Sequence, residues 1–102
     1  MVFLLVLAQP RRVGATRELP ASYARFFRTL GNRIRSLRTE RSLSQEDMMS
    51  FGFSVRHWQM IEAGRPTTLF TMLRVCETFQ ISIEKLLGGL DEHIHKKRKT
   101  EG

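Results

Sequence analysis

The sequence predicts an all-α fold, a bundle of five short helices, and three observations carry that prediction. Apolar residues recur at spacings of three and four from residue 22 onwards, the period of a helix with one buried face. Ser or Thr stands before each of the last four apolar runs, and Gly closes three of them. A chain of 102 residues that is 41% hydrophobic can bury one small core and little more.

The elements follow in order. Residues 1–21 carry an apolar run, MVFLLVLA, and then Pro10, Gly14 and Pro20 with neither helical nor strand period. No Lys or Arg precedes that run, which argues against a secretory signal; 1–21 is expected to be an unstructured leader or the product of an upstream start codon. The domain proper spans 22–90. A first helix covers about 22–41, with Phe27, Leu30, Ile34, Leu37 and Arg41 on one stripe. Ser42 and Leu43 break it. Ser44-Gln45-Glu46-Asp47 has the form of a capping box and opens a short second helix, 45–51, carrying Met48, Met49 and Phe51. Gly52-Phe53-Ser54 forms a turn, and Ser54 caps a third helix, 55–63, with Trp58 and Ile61 inward. Gly64 and Pro66 end it. Thr67 or Thr68 caps a fourth helix, with Leu69, Met72, Leu73, Cys76 and Phe79 on its apolar stripe. Ser82 caps a fifth, which carries Ile83, Leu86 and Leu87 and ends at Gly88-Gly89. Residues 91–102 are expected to form a flexible basic tail.

Charge narrows the class of partner. The formal net charge is +7, but it is unevenly placed. Residues 1–42 hold Arg11, Arg12, Arg17, Arg25, Arg28, Arg33, Arg35, Arg38 and Arg41 against Glu18 and Glu40. Lys96, Lys97, Arg98 and Lys99 face only Glu101, whereas acids outnumber bases between residues 43 and 95. Two basic flanks point to nucleic acid before any other partner. The single cysteine excludes an internal disulfide. Two imidazoles in His93-Ile94-His95 are too few for a structural zinc site, so no metal or other cofactor is expected. Ser22, Ser44 and Ser54 lack a base and an orienting acid in any readable pattern, and no phosphate loop is present, so the chain does not read as an enzyme. No apolar run approaches the ~20 residues of a membrane span.

Two short helices joined by a Gly-containing turn form a helix-turn-helix, whose second helix enters the DNA major groove. Five fragments then stand in order: Leu30-Gly31-Asn32-Arg33-Ile34-Arg35-Ser36-Leu37-Arg38, Leu43-Ser44-Gln45-Glu46, Gly52-Phe53-Ser54, Ile61-Glu62-Ala63-Gly64-Arg65 and Ser82-Ile83-Glu84-Lys85-Leu86-Leu87. Together they resemble the Cro/CI-type (XRE) helix-turn-helix family over residues 30–88. That resemblance implies the five-helix, lambda-repressor-like bundle and a sequence-specific regulator of transcription, a repressor or autoregulator in the bacterial cytoplasm, at the nucleoid. Two spacings depart from the family. One residue is missing between the Ser-Gln pair and the turn Gly, and the link from Gly64 to Leu69 is about one residue short.

Candidate contacts follow from donor and acceptor chemistry. Arg reads guanine, Gln reads adenine and an aliphatic group packs on a thymine methyl; the base readers are Arg56 and Gln59, with Val55 as the methyl contact. Phosphate contacts are assigned to Gln45, Ser54, His57, Arg65 and Thr67. Gln45 also reads as a solvated residue at the helix start, Arg65 as a helix C-cap, and Met60 as facing either DNA or solvent. Trp58 reads as core, with partial exposure beside the DNA backbone as the alternative. The resemblance implies a buried ion pair between Arg38 and Glu62. It further implies a homodimer on a palindromic operator, with Leu86, Leu87 and Leu90 at the dimer contact unless they close the monomer core. The basic ends, Lys96 to Lys99 with Arg11, Arg12 and Arg17, are expected to lie along phosphates. Segments outside the domain offer no walls for a small-molecule effector pocket. Within the family, a phage repressor, a restriction–modification controller and an antitoxin are all consistent with these residues. The rival reading is a protein-interaction module of the same fold that binds a cognate toxin or other protein and does not read DNA.

Overall fold

The computed structural model describes residues 19–92 and 94. The leader before residue 19, His93-x-His95 and the Lys96–Lys99 arm therefore lie outside the described residues. The rest is all helical: α1 Ala21–Glu40, a 3₁₀ helix Glu46–Phe51, α2 Val55–Glu62, α3 Leu69–Phe79 and α4 Ile83–Leu87. No strand is present among the described residues, and no helix there is long and apolar enough to cross a membrane.

Local chemistry sets the boundaries. Pro20 precedes α1, and Ser42 ends the segment in a left-handed conformation, φ 58°. The capping box forms in both directions: the Ser44 hydroxyl accepts from the Asp47 N–H at 3.0 Å, and the Asp47 carboxylate accepts from the Ser44 N–H at 2.7 Å. Those Ser44 bonds hold the Asp47 carboxyl below its ordinary range. Ser54, Thr68 and Ser82 each cap the helix that follows by accepting from the third backbone N–H on.

The second helix differs from the α-helix that its sequence suggests. Its backbone bonds run i to i+3, as in Met48 N–H to the Gln45 carbonyl at 3.2 Å and Gly52 N–H to Met49 at 3.0 Å. A 3₁₀ helix rises ~2.0 Å per residue against ~1.5 Å for an α-helix, so fewer residues span a given length. Six residues thus carry the chain to Gly52, which turns the corner at φ 90°.

The core collects Leu30 and Ile34 from α1, Met48, Phe53, Trp58 and Ile61, Met72, Val75, Cys76 and Phe79 from α3, then Leu86 and Leu90. Trp58 is wholly buried, its ring set edge-on to Phe53 at 4.9 Å and to Phe79 at 6.0 Å. Two expectations are corrected here. Leu69 and Leu73 are not on the buried stripe of α3: they are 62% and 50% exposed, and Thr71 and Val75 take their place beside Met72, Cys76 and Phe79. Both stripes share three residues, so spacing alone could not choose between their flanks. Leu86 and Leu90 are buried within one chain, so they close its own core and do not form a dimer contact; only Leu87 stays half-exposed.

The position of α2 depends on Gly31. A Cβ at Gly31 would stand 2.6 Å from the Glu62 carbonyl oxygen and 2.8 Å from that of Ile61, so α1 and α2 meet backbone to backbone there. Replacing a helical Gly by Ala ordinarily stabilises by about 0.5–1 kcal/mol. Gly31→Ala should instead destabilise the fold by about 2 kcal/mol, because neither carbonyl can move without its helix. Urea unfolding followed by Trp58 fluorescence checks the sign.

Candidate nucleic-acid interface

Within α2, helical period divides the residues cleanly. Trp58, Ile61 and Glu62 are buried, Arg56 and Gln59 are exposed, and Val55, His57 and Met60 are half-buried between them. The two proposed base readers therefore share the solvent face of the helix. Trp58 takes the core alternative. Ser54 sits at the N-terminus with its hydroxyl oxygen engaged by the His57 N–H at 3.0 Å.

Behind that face lies one carboxylate with several donors. Arg38 donates to Glu62 twice, from Nε at 2.6 Å and Nη2 at 3.0 Å, and its Nη1 donates to the Leu43 carbonyl at 2.8 Å. The Trp58 indole N–H and the Gln45 amide also donate to Glu62, Gln45 at 3.0 Å. Burial alone would raise the Glu62 carboxyl; the bonds from Arg38, Gln45 and Trp58 outweigh it and hold the group below its ordinary range. The same contact raises the Arg38 guanidinium. The implied ion pair is thus present, with two further donors that the sequence did not suggest.

Gln45 acquires a second task. Its oxygen accepts from the Gln59 amide at 3.2 Å while its own amide reaches Glu62, so it links the buried ion pair to an exposed side chain. Its expected phosphate contact is reduced to its second amide proton. Gln59, held from one side, keeps its oxygen and one amide proton for the acceptor–donor pair of an adenine edge.

His57, Arg65 and Thr67 line one depression of about 140 Å³ with Met60, Ile61 and Pro66, so three of the proposed phosphate contacts are brought together. Gly64, at φ 90°, turns the chain there, and the Arg65 N–H donates to the Met60 carbonyl at 3.1 Å. Arg65 caps α2 through its backbone, which leaves its guanidinium exposed.

Sequence reasoning missed Arg74. Its guanidinium lies 4.2 Å over the Phe53 ring and donates to the Gly52 carbonyl at 2.8 Å, pinning the turn between the two helices. Nothing in a single Arg on α3 signals that contact, because its partners lie 21 and 22 positions earlier in the chain. An open apolar groove of about 580 Å³ was also not expected; Phe26 of α1 and Ile83 and Leu87 of α4 wall it. The expectation considered only segments outside the domain, whereas the helices themselves form the walls. Among the described residues no group of three or more His, Cys, Asp or Glu side chains could hold a metal. Cys76 is buried, and burial raises its thiol.

No family model, curated protein or solved structure matches this chain.

Glu62→Ala should destabilise the domain by ~3 kcal/mol or more, since it strands the Arg38 charge; the midpoint of a chemical melt measures it. Because folding lowers the Glu62 carboxyl below 4.5, its contribution is complete above that pH and is lost as pH falls through the folded value. Glu62→Gln should therefore be less stable at neutral pH and show a shallower acid limb, which unfolding at a series of pH values tests.

Proposed function

We propose that this chain is a sequence-specific DNA-binding regulator of transcription, built on a Cro/CI-type helix-turn-helix, with α2 in the major groove of a palindromic operator. The observation that carries the reading is the arrangement of Arg56 and Gln59: both stand on the exposed face of α2, and Gln59 is tied through Gln45 to a buried ion pair. Pre-organised donors lose less freedom on meeting a base edge than free side chains do. His57, Arg65 and Thr67 flank the same helix end and suit the phosphate backbone.

A homodimer belongs to the proposal, because one small domain reaches few phosphates and a two-fold pair places its reading helices about 34 Å apart, one turn of DNA. Apolar side chains available to a second copy are Leu69, Phe70 and Leu73 of α3, at 62%, 70% and 50% exposed. Those same residues favour the second reading, a module that binds another protein through α3 and leaves DNA alone.

Selection of bound duplexes from a random pool at two salt concentrations tests the first reading. One sequence class should be enriched at both, and Arg56→Ala and Gln59→Ala should each weaken the selected duplex by about 1–3 kcal/mol while leaving a shuffled one nearly unchanged. Absence of enrichment, with protein partner binding lost on Phe70→Ser and Leu73→Ser, would support the second.

A further inference from the structure

A second depression, of about 260 Å³, shares Arg65 and Pro66 with the one lined by His57 and lies where α1 passes the end of α2. Leu19, Ala24, Phe27, Ala63 and Pro66 give it apolar walls, and Arg28 and Arg65 give it charge. Among the described residues no carboxylate lines it. Both arginines are exposed, and neither guanidinium has an ion-pair or hydrogen-bond partner among the described residues. Gly64 brings their backbones together: a Cβ there would lie 3.0 Å from the Arg28 Cα and 3.3 Å from its N. Two like charges beside one depression, on an apolar floor that weakens screening, are relieved by an anion between them.

We infer that Arg28 and Arg65 form a phosphodiester clamp, so that α1 grips the DNA backbone beside the phosphate reached by His57, Arg65 and Thr67. This inference rests on the DNA-binding reading above and adds a residue of α1 to it. The clamp contributes affinity and register, not base choice, because a phosphate carries no sequence information.

Binding of the selected duplex and a shuffled duplex, measured by fluorescence anisotropy across a salt series, tests the clamp. Arg28→Gln should weaken both duplexes by the same factor, about five- to ten-fold at 0.1 M salt, and should lower the slope of log K against log[salt] by about 0.9. Arg28→Lys should recover most of that slope. Lys85→Gln, which removes one positive charge from α4, should change neither quantity. A melt of each variant, expected to match the parent, separates binding from folding. An unchanged slope in Arg28→Gln, an equal loss in Lys85→Gln, or a loss confined to the selected duplex overturns the clamp. If Arg56→Ala still abolishes the sequence preference, such a failure leaves the DNA-binding reading intact; a parent protein that binds neither duplex overturns both.

Discussion

The Glu62 carboxylate is the constraint on which the rest depends. Four donors from three directions converge on it: two from Arg38 of α1, one from Gln45 at the start of the 3₁₀ helix, and one from Trp58 a turn earlier in α2. A buried ion pair adds little net stability, because the desolvation of both charges offsets their attraction. Its value here is geometric. A carboxylate left with any donor missing is costly in a buried place, so α1, the 3₁₀ helix and α2 hold one mutual arrangement. The exposed Gln59 inherits that arrangement through Gln45.

Two other contacts act on the same geometry. Gly31 lets α1 and α2 touch at their backbones, which places Arg38 within reach of Glu62 and Arg28 beside Gly64. Arg74 holds the turn from above, stacked on Phe53 and bonded to Gly52. Thus α2 is fixed to α1 at their crossing, to the 3₁₀ helix at the corner, and to both through the Glu62 carboxylate.

Net charge proves a coarse guide to where an anion would sit. Of the arginines on α1, Arg38 is buried in the ion pair and Arg33 donates to the Leu86 and Gly88 carbonyls at 2.9 and 2.8 Å, closing the end of α4. Just past α1, Arg41 stacks 4.8 Å over Phe79 and donates to the Leu37 carbonyl at 2.8 Å. What remains outward is Arg25, Arg28 and Arg35. Sequence counts all six as basic flank; half of them spend their donors on carbonyls, a carboxylate and a ring.

By itself the sequence determined the features that depend on near neighbours. Caps at Ser44, Ser54 and Ser82 and the stops at Gly52 and Gly64 are legible because a hydroxyl reaches the third N–H on and glycine tolerates positive φ; the choice of Thr68 over Thr67 is not. The outward placing of Arg56 and Gln59 follows from helical period and the need to bury Trp58 and Ile61. Tertiary structure alone decided the rest: 3₁₀ winding of the second helix, the exposed flank of Leu69 and Leu73, the burial of Leu86 and Leu90, and the bridging of Gln45 between Glu62 and Gln59. Each depends on which face a distant element covers or which polar atom it delivers. A spacing within one helix carries no record of either.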